Sequence, residues 1–198
     1  CDCDIDLNLN GANLAPYQGG TTVFNGVISG NGRLYPRGGT TVLNGANTFL
    51  QTIISQGNIG VGIDSALPTY SPVGLGTLLQ DNQGDRGISA EGGARTIENP
   101  FSWVPRANAN SALMFLGTNQ LTMSGAFDLS GGTNNVNRIF RVDNIVAPLI
   151  ISGVISDAGQ NMGVNKTGNG TLLLNNVNTY TGPTTVSAGA LGGTGTIA

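Results

Sequence analysis

Apolar and polar residues alternate over the first ten positions of the chain, which read CDCDIDLNLN. Successive side chains of an extended backbone point to opposite faces, so this alternation predicts a β-strand. We expect its acidic face, with Asp2, Asp4 and Asp6, to meet solvent, and its apolar face to turn towards a core. The apolar face consists of Cys1, Cys3, Ile5, Leu7 and Leu9.

Short apolar runs continue along the chain, separated by turns rich in Gly, Asn and Asp, as in ALMFLGTNQLTMSGAFDLSGG from Ala112 to Gly132. Such runs between turn residues indicate β-strands. Turns this frequent leave segments too short for hairpins that bury a globular core. The pattern therefore favours strands that form the successive faces of a coil.

Two short motifs recur in a constant order. LNGAN occurs at 9–13 and 43–47, and the similar LNNVN occurs at 174–178. GVIS occurs at 26–29 and at 153–156, each time before a copy of the first motif. Linked motifs that recur in the same order are typical of a repeat array.

The composition supports an array of strands. Gly accounts for 32 of 198 residues, and only 10% of the residues are charged, so continuous helices have little local support. The hydrophobic fraction of 39% is too high for a disordered polar chain. We therefore expect an all-β protein with almost no α-helix.

The segment NKTGNGTLLLNNVNTYTGPTTVSAGALGGTGTI, from Asn165 to Ile197, resembles the autotransporter-associated β-strand repeat. That repeat occurs in passenger regions and in large secreted surface proteins of Gram-negative bacteria. The resemblance is weaker over Gly26 to Gly62. The residues that fit the repeat are Lys166, Thr167, Gly168, Gly170, Thr171, Leu172, Leu174, Asn178, Thr179, Tyr180, Thr181, Gly182, Thr184, Thr185, Val186, Gly189 and Leu191.

The resemblance implies a single-stranded, right-handed parallel β-helix, or β-solenoid, on an exported protein. The residue pattern leads to the same architecture, because each short strand can pair with its equivalent one coil away, about 4.8 Å along the axis. We predict one domain over 1–198 with roughly eight or nine coils. A longer, loop-rich excursion is expected around residues 64–110.

Candidate catalytic residues are few. The chain has no His, which removes the usual acid–base group and the commonest metal ligand. The only dense charged group contains Asp81, Asp85, Arg86 and Glu91, which fits a solvated turn better than a polysaccharide-cleaving site. We expect no enzyme activity, no catalytic residues and no cofactor.

Metal and nucleic-acid binding have little support. Asp2, Asp4 and Asp6 follow the D-x-D-x-D spacing of a calcium loop, but Leu7 stands where that loop needs Gly, and Asn13 stands where it needs Glu. On a strand the three carboxylates lie roughly 6.5–7 Å apart, too far to share one ion. A net charge of −3 offers no basic patch for phosphates.

The cysteines allow three interpretations. Cys1 and Cys3 are free and act as small apolar groups, they form bridges to another chain, or Cys1 is a lipidated first residue. A Cys at position one suits lipidation, but no upstream residues are visible that would show a lipidation signal, so we favour the first two interpretations.

Phe101 and Trp103 lie between Pro100 and Pro105 in NPFSWVPR, which does not read as a regular central strand. We expect a loop packed over the coil. The functional alternative is an exposed aromatic surface that contacts carbohydrate or a partner protein.

No apolar run approaches the roughly 20 residues of a membrane-spanning helix, and no secretion signal opens the chain. The numbering therefore fits a mature or excised chain. Its expected location is extracellular or on the outer surface of a Gram-negative-type bacterium.

The leading functional hypothesis is a structural protein whose subunits stack head to tail into a filament or surface layer, because neither terminal strand carries a recognisable cap. The joint would bring the segment from Cys1 to Leu9 against a partner's Leu191 and Ile197. The alternative is an adhesive passenger fragment of a larger protein, and a polysaccharide-active enzyme is a distant third.

Overall fold

The computed structural model describes residues 2–8, 13–17, 19–81, 84–104, 111–131 and 135–197. The described residues form short strands and contain no helix. In chain order the strands are β1 (Ile5–Asp6), β2 (Asn13–Leu14), β3 (Thr21–Phe24), β4 (Ile28–Ser29), β5 (Arg33–Leu34), β6 (Thr40–Leu43), β7 (Gln51–Ile54), β8 (Asn58–Val61), β9 (Leu78–Gln80), β10 (Arg86–Ala90), β11 (Arg95–Ile97), β12 (Phe101–Trp103), β13 (Ala112–Leu116), β14 (Leu121–Met123), β15 (Phe127–Asp128), β16 (Asn137–Val142), β17 (Leu149–Ile151), β18 (Ile155–Ser156), β19 (Gly163–Thr167), β20 (Thr171–Leu174), β21 (Thr184–Val186) and β22 (Ala190–Gly192).

The strands assemble into parallel sheets. An eight-stranded sheet has the order β21-β19-β16-β13-β10-β8-β6-β3. A seven-stranded sheet has the order β18-β15-β12-β9-β7-β5-β2, a five-stranded sheet has the order β11-β14-β17-β20-β22, and β1 pairs with β4. Every pairing between these strands is parallel.

The chain visits the sheets in a fixed rotation. From β10 to β18, each coil contributes one strand to the eight-stranded, then the five-stranded, then the seven-stranded sheet. Neighbours within a sheet come from successive coils, so every ladder joins residues one coil apart. The predicted all-β, parallel β-helical fold is therefore confirmed.

The core is a set of apolar columns inside the coil. One column follows the register of the eight-stranded sheet through Ile59, Ile88, Phe115 and Val142, all buried. Because alternate side chains of a strand point inwards, in-register pairing places the apolar side chains of one coil directly on those of the next. No coil can bury these side chains alone, so each coil depends on its neighbours.

The range 64–110, for which a loop-rich excursion is predicted, combines two kinds of structure. Residues 62–77 connect β8 to β9 and include an isolated antiparallel bridge between Ala66 and Tyr70. The strands β9 to β12 that follow take regular places in the stacked sheets. Among the described residues the long connection therefore lies in the first part of the range, and residues 82–83 and 105–110 lie outside the described part of the chain.

The loop predicted at Phe101 and Trp103 is wrong, and so is the alternative of an exposed aromatic surface. These two residues belong to β12, an internal strand of the seven-stranded sheet, and their rings are buried in the core rather than exposed. The ring of Phe101 stacks on that of Phe127 with centroids 4.7 Å apart. Pro100 is compatible with the strand because it directly precedes β12, where its carbonyl still accepts a hydrogen bond from the Leu78 amide.

The expected ten-residue strand at the start is also wrong in length. Among the described residues of that segment only Ile5 and Asp6 form a strand, and Cys1 and Leu9 lie outside the described residues. Asp4 Oδ1 accepts from the Val27 amide and Asp6 Oδ1 from the Asn8 amide. The Asp6 bond is local and competes with regular pairing along a long strand, whereas the Asp4 bond reaches the neighbouring coil.

The described part of the chain forms no helix of the length and apolarity that a membrane crossing requires.

Candidate functional site

The repeat-like segment lies on β19 to β22, which continue the stacked sheets. β19 and β21 are successive strands of the eight-stranded sheet, and β20 and β22 of the five-stranded sheet. The polar side chains that recur in this segment point into the stack or across to the neighbouring coil. The hydrogen bonds of these side chains explain why their residue types occur in the repeat-like segment.

Lys166 is buried inside the coil, on the same inward column as Phe140 in the register of β16 and β19. Its Nζ donates to the carbonyl oxygens of Thr167 and Gly168, both at 2.7 Å, and of Ala188, at 3.1 Å, in the next coil. Burial lowers the pKa of the ammonium group, and the charge of Asp143 opposes this effect. Lys166 therefore joins two coils by one side chain.

Gly189 allows this contact. Its φ of +71° is one that other residues rarely adopt, and a Cβ there would lie 2.8 Å from Lys166 Nζ. The glycine is thus required twice, for the turn and for the space beside the ammonium group.

Asp157 closes the turn before β19. Its carboxylate accepts hydrogen bonds from the amides of Gly159, Met162 and Thr181 and from the Thr181 hydroxyl, at 2.7–3.1 Å. Burial alone would raise the pKa of this carboxyl, but the hydrogen bonds hold it below its ordinary value. Because Thr181 lies in the following coil, Asp157 also connects neighbouring coils.

The two recurrent motifs meet across neighbouring coils. Asn47 ends LNGAN, and its Oδ1 accepts from the amide of Ile28 in GVIS, at 2.7 Å. Asn178 ends LNNVN, and its Oδ1 accepts from the amide of Ile155 in the second GVIS, at 2.9 Å. Their Nδ2 groups donate onward to Pro72 and Thr196 carbonyls, each at 2.8 Å. The motifs recur together because they form one cross-coil contact.

Tyr180 completes the repeat segment. Its side chain is buried, and its hydroxyl hydrogen-bonds with the Thr184 hydroxyl. Burial raises the pKa of the phenol. The ring fills the coil interior, so this residue also serves packing.

The residues expected at an assembly joint lie at opposite ends of the stack. β22, with Leu191, is a terminal strand of the five-stranded sheet, whereas Ile5 and Asp6 pair with β4 near β2 and β3. Leu191 and Ile197 line an apolar cleft of about 370 Å³ together with Leu174, Val186, Gly192, Gly193 and Gly195. Within one chain the described members of the two sets do not meet.

At the other end, Leu7 is buried and Ile5 is partly buried, as predicted for the apolar face. Cys3 is exposed, contrary to that prediction. Asp2, Asp4 and Asp6 are exposed, as predicted, and Asp2 Oδ1 accepts from Asn25 Nδ2 at 2.6 Å.

The charged group at 81–91 does not form one cluster of bonds. Asp81 is buried and accepts from the hydroxyl groups of Tyr35 and Ser55, in two earlier coils. Asp85 accepts from the Ala112 amide at 2.9 Å and faces Arg141 at 3.9 Å. The described contacts of these two carboxylates thus share no partner.

Glu91 and Arg86 likewise have structural partners. Glu91 Oε1 accepts from the Ser89 hydroxyl, and Arg86 Nε donates to the Gln56 carbonyl at 2.7 Å. Over the described residues, no three side chains of His, Cys, Asp and Glu come together as a metal site would require.

The buried position of Arg138 was not predicted from the sequence. Arg138 lies in β16 on the same face as Phe140 and Val142, and all three are buried. The alternation in NRIFRV could have indicated this, because every second residue of a strand shares a face. A charged residue at an inward position is unusual enough to mark a site.

Comparison with known families agrees with this geometry. Residues 164–191 match the family model of the passenger-associated-transport-repeat. The predicted resemblance to the autotransporter passenger repeat family is therefore confirmed for this segment, which spans β19 to β22 almost entirely. No curated protein and no solved structure matches the chain.

Proposed function

We propose that this chain is a structural β-helical segment of a passenger-type protein that is exported to the cell surface. The observation that carries the proposal is the family match at 164–191, which falls on strands that continue the stacked sheets of the whole array. We also propose a location outside the cell or on the outer surface of a Gram-negative-type bacterium, which is where the matched repeat is expected to act.

The role is mechanical. Parallel pairing in every sheet and side chains that bond from one coil to the next, such as Asp157 to Thr181, couple each coil to its neighbours. Such an array holds its shape over its length and presents exposed turns at a distance from its attachment point.

An export assay tests this proposal. The 198-residue chain is placed between a cleavable secretion signal and an outer-membrane translocator in a Gram-negative host, and its surface display is measured with an added epitope tag. We expect display of the original chain, and a several-fold lower signal for Asn178→Ala, which loses the contact between the two motifs.

The matched control is Val177→Ala, at the adjacent position, whose side chain is 64% exposed. It should be displayed as well as the original chain. Failure of the original chain to reach the surface, or equal display of Asn178→Ala, would contradict the proposal.

We propose that the chain is not an enzyme. In support, the acidic residues at 81–91 each bond to a hydroxyl or backbone group that the fold itself supplies. A panel of acidic and neutral polysaccharides should give no product with the purified chain. Cleavage that disappears in an Asp81→Ala, Asp85→Ala double variant would overturn this.

A second candidate function is end-to-end assembly into a filament or surface layer. The observation in its favour is the apolar cleft at β21 and β22, where Val186 is 48% and Ile197 54% exposed beside terminal strands of two sheets. Terminal strands carry backbone groups that can pair with another chain, and apolar side chains beside them add contact area.

Electron microscopy and sedimentation of the purified chain at increasing concentration test this assembly. We expect elongated particles that Val186→Asp abolishes, because it places a charge in the joint. Val146→Asp, at an exposed apolar residue in the turn between β16 and β17, is the control and should still assemble. Removal of residues 1–6 should also prevent assembly, and monomers at every concentration would dismiss the idea.

A further inference from the structure

The interior of the coil contains a cationic side chain whose donors are only partly used. Arg138 is 1% exposed, and its Nε donates to the Leu129 carbonyl at 3.2 Å. Its two terminal nitrogens, Nη1 and Nη2, are buried and have no hydrogen-bond partner among the described residues. A buried donor without an acceptor is costly, and more so when it is charged.

A second unused donor lies beside it. Trp103 is 2% exposed, and its indole Nε1 is also buried without a partner in the described part of the chain. The guanidinium carbon of Arg138 lies 5.4 Å from the centre of the Trp103 ring. The donors without partners on these two side chains therefore lie in the same part of the coil interior.

The charge of Arg138 also needs compensation. Burial lowers its pKa to about 10, so the group is still cationic at neutral pH. The nearby carboxylate of Asp128 raises this pKa, but its oxygens accept from the Ser130 amide and the Ser102 hydroxyl. No ion pair to Arg138 occurs between described residues, whereas Arg141 on the same strand pairs with Asp143 at 2.8 Å.

We propose that Arg138 and Trp103 bind one small monovalent anion, of the halide class, inside the coil. A water molecule could accept hydrogen bonds from these donors but would leave the charge without an ion pair, whereas a halide supplies both an acceptor and a counter-charge. The bound anion joins β12 to β16 and so makes the stability of the middle coils depend on the anions in the surrounding solution.

A bromide titration of the full chain tests the site. Sodium bromide replaces sodium gluconate at constant ionic strength, and the thermal unfolding midpoint is followed together with tryptophan fluorescence. Trp103 is the only tryptophan, so the fluorescence signal comes from the site. We expect the unfolding midpoint to rise with bromide concentration, because an ion that binds only the folded chain stabilises it. Tryptophan fluorescence should be quenched to a plateau as the site fills.

Arg138→Met keeps the length of the side chain but removes the charge and the donors, and should abolish both responses. Arg141→Met removes a half-buried arginine of the same strand, whose side chain points away from the core, and should keep both responses. Should Arg138→Met fail to fold, Trp103→Phe keeps an aromatic ring and removes only the Nε1 donor. Its bromide affinity, measured from the midpoint, should fall about tenfold.

Crystals soaked in bromide give an independent readout, with an anomalous peak expected within about 3.5 Å of the Arg138 guanidinium. Several results would overturn the proposal. The midpoint of the original chain could be insensitive to bromide, which would assign the donors to water. The proposal would also be overturned if the original chain and Arg138→Met responded equally to bromide. Anomalous peaks at surface positions alone would overturn it as well.

Discussion

At the scale of single residues, the polar side chains inside or beside the coil act as connectors between coils. Lys166 donates hydrogen bonds to carbonyl oxygens at the end of β19 and to one in the turn before β22. Asp157 accepts a hydrogen bond from the Met162 amide, and Asn178 accepts one from the Ile155 amide. Neither amide donates to a neighbouring strand. Buried polar groups of this kind stabilise one arrangement only when every bond is made, so they specify the register of stacking.

Replacing Lys166 tests that role. Lys166→Met fills the same space but leaves three carbonyl oxygens without their donor, and we expect a loss of about 1–3 kcal/mol in the free energy of unfolding. Chemical denaturation measures it. Arg33→Met, at an exposed position, is the control and should change stability by less than about 0.5 kcal/mol. Equal effects of the two substitutions would refute a connecting role.

Asp157 should make the free energy of unfolding depend on pH in the acid range. Because its folded pKa lies below the ordinary value of 3.8, the unfolded chain takes up the proton first as the pH falls. The stabilisation is therefore present above the ordinary pKa and is lost as the pH falls through the lower folded pKa.

Asp157→Asn should cost about 2–4 kcal/mol at neutral pH and flatten this acid dependence, as measured by denaturant titrations from pH 7 to pH 2.5. Asp143→Asn, which changes an exposed carboxylate paired with Arg141, should keep the dependence. A curve for Asp157→Asn parallel to that of the original chain would show that another group is responsible.

At the scale of elements, the strands have only two to six residues, and close stacking at their ends fixes the coil spacing. Gly153, just before β18, stacks on Gly125, just before β15. A Cβ at Gly153 would lie 1.8 Å from the Gly125 carbonyl oxygen. The backbones of successive coils thus touch at this corner without intervening side chains.

Gly153→Ala should therefore force two coils apart and lower the free energy of unfolding by roughly 3 kcal/mol. Calorimetry of the thermal transition measures the change. The control is Gly20→Ala, since a Cβ there meets no atom within 4 Å. An unchanged melting temperature for Gly153→Ala would mean that the coils can shift without cost.

At the scale of the whole molecule, stability should vary along the stack. A coil in the middle is covered on both sides, whereas β21 and β22 are covered on one side only in this structure. Nearest-neighbour coupling then predicts lower protection at the end of the array.

Native-state hydrogen exchange of the monomeric chain should show the greatest protection in β13 to β17 and the least in β21 and β22. Under assembling conditions, the protection of β21 and β22 should rise if that end forms a joint. Uniform protection along the monomer would indicate that the array opens only as a unit.

The sequence by itself determined the class of fold and the place of the repeat. Short apolar runs between Gly and Asn turns, together with two motifs in constant order, predict a parallel coil, because in-register stacking of equivalent residues is the simplest way to bury them. The match at 164–191 rests on local residue types that form turns and cross-coil bonds within two or three coils.

The tertiary structure alone decided which residues meet. Trp103 and Arg138 are 35 residues apart by number and come together only because the register stacks β12, β15 and β16 around one interior. The opening segment has a perfect strand pattern, yet among its described residues only Ile5 and Asp6 pair, because pairing needs a partner strand and the local Asp6 bond competes with it. Alternation predicts which face a residue occupies, but the neighbouring coil decides what that face touches.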